Sequence, residues 1–340
     1  MKIQLVHKFE DIISVENLLA AWREFIRGKR NRRDVQEFLL NLMDNIFDLH
    51  YYLKSLTYRH GGYQAFKIND PKPRDIHKAS VRDRLLHHAI YRILYPFFDK
   101  TFIADSYSCR INKGTHKAVN KFLQYAYIVS KNNTKTCWAL KGDIRKFFAN
   151  IDHDILIGRL REYIQDEKII WLLKNVIGSF SPGLPLGNLT SQLFVNIYLN
   201  KFDQFIKHKL KAKYYIRYAD DFVIFSENKE WLENLIEPIK EFLRQELKLE
   251  LHPNKVFIKT IASGVDFLGM VNFSDYRVFR TKTKRRMLKK ISDRYGESQN
   301  EIISEESFKQ SLQSYLGMLK HCRGYKVEKK IEAICETPAS

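Results

Sequence analysis

Apolar positions in the first sixty residues recur at the spacing of amphipathic helices. Leu18, Trp22 and Phe25 fall on one face of such a helix. The same period returns further along, at Phe38, Leu42, Ile46 and Leu49. This pattern predicts helical structure over residues 14–60, and the same criterion predicts a helix over residues 81–98.

Shorter runs of β-branched and aromatic residues predict strands. The first lies at residues 63–68, inside a turn-rich segment, and a second at residues 136–140 ends in Lys141-Gly142-Asp143. In residues 214–226, two apolar runs flank the polar pair Asp220-Asp221, which is the pattern of a β-hairpin. Three further strands are predicted, at residues 256–259, 265–271 and 277–280.

The remaining segments again have helical spacing, and they alternate with the strands over short connections. Helices are predicted at residues 190–211 and 229–246 and from about residue 283 onward, and Asp152 has the position of a helix N-cap. Intermixed strands and helices of this kind predict an α+β fold. Its sheet should be mainly antiparallel, with helices on one face.

Length and composition indicate a globular chain of several subdomains. At 340 residues it exceeds the usual size of one domain, so two or three subdomains are expected. No apolar run approaches the roughly 18–20 residues that cross a bilayer, and the N-terminus lacks a signal-peptide core, so a cytoplasmic protein with no membrane contact is expected. The cysteines are widely separated and are expected to be free thiols; they are Cys109, Cys137, Cys322 and Cys335.

Charge is the first indication of a partner. Lysine and arginine outnumber aspartate and glutamate by 58 to 39, a formal charge of +19, which attracts polyanions. The excess recurs in four places, at residues 27–33, 72–84, 201–213 and 280–290. Any single cluster could be a solvated surface. Four clusters along a folded chain favour a nucleic-acid channel.

Three aspartates are candidates for the chemistry. Phosphoryl transfer from a nucleoside triphosphate commonly uses two Mg²⁺ ions about 3.5–4 Å apart, held by carboxylates. Asp220-Asp221 alone would be as typical of a simple turn. The apolar strands on both sides, and Asp143 at the end of another strand before two aromatics, favour a metal site instead. Two carboxylates 4 Å apart repel by about 4 kcal/mol at an effective dielectric near 20, so bound cations would compensate them.

These residues resemble the motifs of one enzyme family. Tyr218-Ala219-Asp220-Asp221 resembles the Y-x-D-D box of reverse transcriptases, and residues 141–148 resemble the first palm motif of bacterial, group II intron-type members. Residues 183–192 resemble the motif that contacts template and nucleotide, and Asn254-Lys255 resembles the motif after the catalytic hairpin. The primer-grip turn is matched by Phe267, Leu268 and Gly269. The resemblance covers about residues 60–325 in the family's order.

The resemblance implies a right-hand polymerase with fingers, an antiparallel-sheet palm and a helical thumb. The expected subdomains are a basic helical extension, fingers, palm and thumb, at residues 1–60, 61–135, 136–274 and 275–340. Asp143, Asp220 and Asp221 would be catalytic, and with Ile144 they would hold two Mg²⁺ ions, for which Mn²⁺ can substitute. The cationic residues Lys284, Arg285, Arg286, Lys289 and Lys290 would follow the nucleic-acid backbone.

The resemblance also implies a set of nucleotide contacts. Phe148 would lie under the incoming sugar and exclude a 2′-hydroxyl, although such a ring is also typical of a core. Lys255 could protonate the pyrophosphate or form a structural salt bridge. Three cations, Lys72, Arg74 and Arg110, would grip the triphosphate or contact RNA backbone. The motif at residues 183–192 adds Leu186, Gly187 and Gln192.

Departures from the common pattern indicate a branch of the family. Leu186 before the glycine and Gln192 after Ser191 are similar to the reverse transcriptases of diversity-generating retroelements. That branch copies a template-repeat RNA into cDNA with errors at adenines, and the product replaces a variable repeat in a target gene. It works with a small, basic, helical accessory protein. Loss of one polar contact at Leu186 would reduce discrimination by about 1–3 kcal/mol, which is the hypothesis for the errors.

Two other interpretations stay open at this point. The first is a stand-alone bacterial reverse transcriptase, either derived from an intron or used in phage defence, with the same catalysis on another template. The second, from a different class, is a non-catalytic RNA-binding scaffold derived from a polymerase. The presence of Asp143, Asp220, Asp221 and Phe148 disfavours the scaffold.

Overall fold

The N-terminal region is helical, as its apolar spacing predicts. The computed structural model describes residues 3–69 and 73–336. Its first four helices are α1 (Phe9–Ile13), α2 (Val15–Phe25), α3 (Arg33–Leu40) and α4 (Leu42–Lys54). The inner faces of these helices are fully buried at Leu18, Ile46 and Leu49, and they form one core with the helix that follows the next hairpin.

A two-stranded hairpin and two helices follow. Strand β1 (Tyr63–Ile68) pairs antiparallel with β2 (Arg74–Ala79), and then come α5 (Val81–Asp99) and α6 (Thr115–Val129). The predictions of β1 and α5 are confirmed. Neither β2 nor α6 is predicted from the sequence. In β2 the run Arg-Asp-Ile-His-Lys lacks the apolar alternation that marks a half-buried strand.

A four-stranded antiparallel sheet forms the centre of the molecule. Its order is β4 (Tyr215–Tyr218), β5 (Asp221–Ser226), β3 (Trp138–Asp143) and β6 (Phe257–Thr260). Four helices connect these strands: α7 (His153–Arg161), α8 (Glu167–Gly178), α9 (Leu189–Gln204) and α10 (Lys229–Leu247). A π-helical turn, Phe205–Lys209, extends α9. Asp152 caps α7 as predicted, because its carboxylate accepts a hydrogen bond from the Ile155 amide at 3.0 Å.

Both faces of this sheet are buried, so the expectation of helices on one face is wrong. Phe222 and Ile224 of β5 join the core that includes α9 and α10. Val223 and Phe225 point the other way, into a second core under α6, where the rings of Phe122 and Phe225 lie 4.8 Å apart. Residues 222–225 contain no polar side chain, so both faces of β5 must be covered by other apolar elements.

A small second sheet connects the centre to the C-terminal helices. It contains β7 (Val265–Phe267), β8 (Met270–Asn272) and β9 (Arg277–Phe279), all antiparallel. The single strand predicted at residues 265–271 is therefore two strands, separated by a turn in which Leu268 and Gly269 have positive φ. Three helices complete the described chain: α11 (Thr281–Gln299), α12 (Glu305–Leu319) and α13 (Tyr325–Glu336). None of the helices in the described ranges is long and apolar enough to cross a membrane.

Candidate active site

The antiparallel pairing of β3 with β5 brings the three candidate aspartates together. Asp143, the last residue of β3, pairs directly with Asp221, the first residue of β5. Asp220 lies in the two-residue turn between β4 and β5, in which Ala219 has a φ of +52°. The Ile144 amide donates a hydrogen bond to the Asp220 carbonyl at 3.1 Å, which fixes the turn against the end of β3.

Burial and the charge of neighbouring carboxylates disfavour ionisation of Asp220 and Asp221. Burial, followed by the charges of Asp143 and Asp221, raises the pKa of Asp220 to about 6. Burial also raises the pKa of Asp221, and the Lys141 ammonium 3.3 Å from its Oδ1 opposes that rise. Lys255 donates a hydrogen bond to Asp143 Oδ1 at 2.9 Å. Two lysines thus supply positive charge beside Asp143 and Asp221.

The chemistry of this donor set suits a hard divalent cation. Magnesium prefers carboxylate and carbonyl oxygens, which the three aspartates and the main chain of Ile144 provide; the Ile144 side chain has no donor atom. Asp221 Oδ1 is buried and has no partner besides the Lys141 ammonium at 3.3 Å, whose place a metal cation would take. In the described ranges no three His, Cys, Asp or Glu side chains already converge as a metal cage. A bound cation would therefore draw Asp143 and Asp221 away from their lysines.

A buried ion pair that the sequence does not reveal supports the turn that contains Asp220. Arg217 of β4 is fully buried and donates to both carboxylate oxygens of Asp203, each at 2.7 Å. The same guanidinium donates to the Ala219 carbonyl at 3.1 Å, immediately before Asp220. A lone arginine between the apolar residues of β4 is the one sequence signal that could have identified it.

Close packing around the strand ends leaves no room for side chains at two glycines. Gly142 directly precedes Asp143, and a Cβ on it would lie 2.3 Å from the ring of Phe222. Gly187 has a φ of +112°, and a Cβ there would lie 3.0 Å from Ile76 of β2. The preceding carbonyl, that of Leu186, accepts a hydrogen bond from the His77 amide at 3.0 Å. The hairpin β1–β2 therefore holds the loop at residues 183–188.

The predicted nucleotide contacts differ in how far they are buried. Phe148 is half-buried in a 3₁₀ turn after β3, and its carbonyl accepts a hydrogen bond from the Leu184 amide at 2.8 Å, so it borders the loop of Leu186 and Gly187. Gln192 lies half-buried in the first turn of α9. Arg74 is exposed at the start of β2, and Lys72 lies outside the described residues.

Arg110 differs from the free guanidinium that a triphosphate contact would use. Its side chain is 6% exposed, and its Nε forms an ion pair with Asp99 at 2.7 Å. Its other nitrogens donate to the carbonyls of Ile103, Ser106 and Asp99. The guanidinium is thus committed to internal contacts, and triphosphate binding by Arg110 stays a prediction that would require it to leave them.

The predicted primer grip lies in the small sheet of β7, β8 and β9, and the predicted backbone contacts lie in the helix that follows it, α11. Phe267 is fully buried, and the Gly269 carbonyl accepts a hydrogen bond from the Arg280 amide at 3.2 Å, which joins the turn to the start of α11. Met287 and Ile291 are buried on one face of α11. The five predicted cationic residues occupy the same helix and are exposed or half-buried: Lys284, Arg285, Arg286, Lys289 and Lys290.

Comparison with known proteins gives relatives for this arrangement. Protein YkfC of Escherichia coli K12 is 26% identical over 264 residues, covering 65% of this chain and 67% of that protein. The group II intron-encoded protein LtrA of Lactococcus lactis is 25% identical over 295 residues, covering 65% of this chain and 47% of that protein. The chain thus spans about half the length of this intron-encoded relative. A truncated apo telomerase from Candida tropicalis is a structural neighbour with a TM-score of 0.49 and 13% identity, over 71% of this chain and 60% of that one.

The family profile matches the part of the chain that carries the site. The profile described as reverse transcriptase (RNA-dependent DNA polymerase) covers residues 67–272, from the β1–β2 hairpin to β8. That span includes the aspartate cluster, the loop at residues 183–188 and the Phe267–Gly269 turn. With more than half of its length in the matched region, and with an α+β fold around an antiparallel sheet, the chain belongs to the family of reverse transcriptases, the RNA-directed DNA polymerases.

Proposed function

We propose that this chain copies an RNA template into DNA by two-metal phosphoryl transfer at Asp143, Asp220 and Asp221. The observation that supports the proposal is the placement of these aspartates at paired strand ends and in the adjoining turn, with the pKa of Asp220 raised to about 6 by burial and by its acidic neighbours. Asp143, the Ile144 carbonyl, Asp220 and Asp221 would hold two Mg²⁺ ions. Bound there, these would supply activation of the primer 3′-hydroxyl and charge neutralisation at the pyrophosphate.

The residues around the aspartates have distinct tasks in this proposal. Lys141 is nearly buried and compensates Asp221, while Arg217 holds the turn that presents Asp220. Lys255 is held by Asp143 when no metal is bound, and it would be released to donate a proton to pyrophosphate when a cation takes its place. The two earlier interpretations of Lys255, salt bridge and proton donor, thus describe successive states.

Substrate selection is proposed for the surface that borders the site. Phe148 would lie against the sugar and exclude ribonucleotides, and Arg74 with Lys72 would bind the triphosphate of the incoming deoxynucleotide. Gly187 keeps the loop close against β2, since a Cβ there would press on Ile76, and the main chain of this loop would border the nucleotide. The cations of α11 would hold the template–primer duplex through its phosphates, and Phe267, Leu268 and Gly269 would position the primer end.

The finer proposal places the chain in the diversity-generating branch. Its support is the sequence pattern at Leu186 and Gln192, and the position of Leu186 in a half-buried loop next to Phe148. The enzyme would then copy a template-repeat RNA with errors at adenines, together with a small, basic, helical accessory protein. A stand-alone intron-derived or phage-defence enzyme is the alternative, with the same chemistry on another template.

Primer extension on an RNA template with Mg²⁺ and deoxynucleotides tests both the polymerase activity and the assignment to a branch. Wild-type protein should give full-length cDNA, Asp220→Ala/Asp221→Ala none, and the surface control Asp154→Ala should equal wild type. Errors concentrated at template adenines would support the diversity-generating branch, and accurate cDNA would favour the stand-alone alternative. Absence of product even with the natural RNA and accessory protein supplied would leave the non-catalytic scaffold.

The error hypothesis has its own variant. The main chain at Leu186 is fixed by the His77 amide, so Leu186→Gln should keep the loop in place while adding a polar contact near the template nucleotide. Restoring about 1–3 kcal/mol of discrimination should lower errors at adenines roughly tenfold, measured by sequencing the cDNA. An isosteric Leu186→Met control should keep the wild-type error rate. Unchanged errors in Leu186→Gln would contradict the hypothesis.

A further inference from the structure

One phenol group connects the two ends of the loop that borders the candidate active site. This loop joins α8 to α9 over residues 179–188, and we call it the α8–α9 loop. The hydroxyl of Tyr63, the first residue of β1, lies 2.8 Å from Ser179 Oγ at the start of the loop. The same oxygen lies 3.3 Å from Asn188 Nδ2 at its end. A single side chain of the β1–β2 hairpin therefore closes the α8–α9 loop at its base.

The hydrogen bonds at this phenol form a chain that runs in one direction. The Ser179 hydroxyl donates its proton to the Val176 carbonyl at 2.6 Å, so Ser179 Oγ accepts from the Tyr63 hydroxyl. The Asn188 amide nitrogen can only donate, and it donates to the Tyr63 oxygen. Burial raises the pKa of Tyr63, so its hydroxyl keeps the proton that the chain requires. Removal of this one oxygen breaks both links.

Asn188 does not cap the helix that it precedes. It occupies the N-cap position of α9, where an asparagine side chain ordinarily accepts a hydrogen bond from an amide of the first turn. Here the side chain makes no such bond, the residue is buried, and its amide donates to Tyr63. The end of the α8–α9 loop is thus attached to β1, one position after Gly187.

Ring packing holds the hairpin beside the loop independently of the hydroxyl. The ring of Phe180 lies 5.6 Å from that of Tyr63 and 4.6 Å from that of His77. The Tyr63 ring also stacks on His60 at 5.0 Å, and its oxygen is 3.4 Å from His60 Nε2, which is longer than either bond of the chain. A phenylalanine ring fills the same space, so Tyr63→Phe removes the polar closure of the loop and keeps this packing.

The closed loop is in direct contact with the residue proposed to lie against the sugar. The Leu184 amide donates to the Phe148 carbonyl at 2.8 Å. A Cβ on Gly183 would lie 2.2 Å from the same carbonyl oxygen, which leaves no space between the two segments. Because closely packed segments transmit displacements, a shift of the loop moves the main chain of Phe148 with it.

We propose that Tyr63 is a positioning residue for the incoming nucleotide, acting through the α8–α9 loop and Phe148. Its effect on the substrate rests on the proposed polymerase function, whereas closure of the loop is a property of the protein alone. Loss of the hydroxyl should weaken nucleotide binding and the preference for deoxynucleotides over ribonucleotides. The chemical step should be retained, because Asp143, Asp220 and Asp221 lie on other elements.

Two measurements compare Tyr63→Phe with wild type. Hydrogen exchange of the full-length protein without substrate, followed by mass spectrometry, should be about tenfold faster in peptides that cover residues 181–188. Single-nucleotide addition to a DNA primer on an RNA template should show a KM for the deoxynucleotide raised by about five- to tenfold, as for one or two lost hydrogen bonds. The kcat should stay within about twofold of wild type, since a general loss of active protein would lower kcat instead. The ratio of kcat/KM for deoxynucleotide to ribonucleotide should fall.

Tyr58→Phe is the matched control, because it removes a buried hydroxyl that does not reach the loop. Tyr58 lies in the segment before β1 and donates to Asp83 Oδ1 at 2.8 Å. Exchange at residues 181–188 and the KM should therefore equal wild type in this variant. Asn188→Ala should reproduce the rise in KM, and adding it to Tyr63→Phe should cause little further change, since both substitutions break one chain.

Two kinds of result would overturn the role of Tyr63. Unchanged exchange in Tyr63→Phe would show that the hydroxyl does not close the loop. Faster exchange with an unchanged KM, or equal effects of Tyr63→Phe and Tyr58→Phe, would limit the phenol to a structural role. A wild-type protein that adds no nucleotide would overturn the proposed function, and with it the effect on the substrate, while exchange would still show whether the phenol closes the loop.

Discussion

Lys141 and Lys255 each contact one of the aspartates at the strand ends, and neither contact follows from sequence spacing. The Lys141 ammonium reaches Asp221 across the β3–β5 pair, while Lys255 arrives from the loop before β6 to reach Asp143. The motifs identify the aspartates because strand ends and a hairpin turn mark them. The ion pair of Arg217 with Asp203 escapes prediction because its two residues come from different elements, and nothing in the local sequence requires a buried charge pair there.

The fit of Gly142 against Phe222 predicts a large effect of a single methyl group. Gly142→Ala would place a Cβ 2.3 Å from a buried ring, which must move together with the strand that carries Asp143. We expect a loss of about 1–3 kcal/mol in the free energy of unfolding, measured by chemical denaturation, and a loss of polymerase activity.

A second glycine provides the control for this change. Gly158 lies inside α7 with open space around its Cβ position, so Gly158→Ala should be neutral or stabilise by up to about 1 kcal/mol through helix propensity. If the two variants showed equal stability and activity, the close approach of β3 and β5 at Gly142 would be refuted.

Removing one partner of the Arg217–Asp203 pair should cost more than removing both charges. Arg217→Met leaves the Asp203 carboxylate buried and uncompensated, and about 3–5 kcal/mol of unfolding free energy should be lost. In Asp203→Asn/Arg217→Met the stranded charge is gone, while the introduced amide oxygen can still accept from the Tyr215 hydroxyl, so roughly half of the loss should return. Denaturation of both variants checks this, and equal losses would show that the stranded Asp203 carboxylate adds no penalty of its own.

At the scale of elements, apolar periodicity predicts the helices that bury one face, and runs of β-branched and aromatic residues predict the strands. The helices of the first sixty residues, β1, α5 and the β4–β5 hairpin all have clear apolar spacing and are confirmed. Strand β2 escapes because its pairing with β1 comes from main-chain hydrogen bonds rather than from an apolar face. The strand expected over residues 265–271 divides because Leu268-Gly269 forms a turn, which the family motif marks but the apolar pattern does not.

Helix α5 gives the fold a predictable pH dependence. Burial, and next the charge of His60, lowers the pKa of His87 to about 3, and the Nε2 atoms of the two rings are 3.1 Å apart. An unfolded histidine has a pKa near 6.5, so the unfolded chain binds the extra proton between these values. Stability is therefore complete above about pH 6.5 and falls as the pH drops below it.

The comparison of wild type with His87→Gln isolates this contribution. At pH 5 the wild type should have lost about 2 kcal/mol of unfolding free energy through His87 relative to pH 7, while the glutamine variant, which can still contact His60, lacks that loss. The difference in unfolding free energy between wild type and His87→Gln, measured by denaturation at pH 7 and at pH 5, should therefore change by about 2 kcal/mol. A difference that is independent of pH would show that His87 is not buried as a neutral ring.

At the scale of the whole molecule, the central sheet joins two cores and carries Asp143 and Asp221 on its two middle strands. One core contains the N-terminal helices with α9 and α10, and the other contains α6, the small sheet and the C-terminal helices. The predicted subdomain boundary at residue 274 falls between β8 and β9, which pair with each other, so this small sheet spans the expected junction of palm and thumb. The subdomain division stays a prediction.

The central claim is that Asp143, with its two partners, forms the centre of nucleotide transfer. Its most direct test is single-nucleotide addition to a DNA primer on an RNA template, comparing wild type with Asp143→Asn. We predict a loss of at least about a thousandfold in the rate of addition, because one carboxylate of the metal site is gone. Binding of the primer–template, measured by anisotropy, should change less than about threefold, since the duplex is held elsewhere. Nucleotide addition at the wild-type rate in Asp143→Asn would contradict the account.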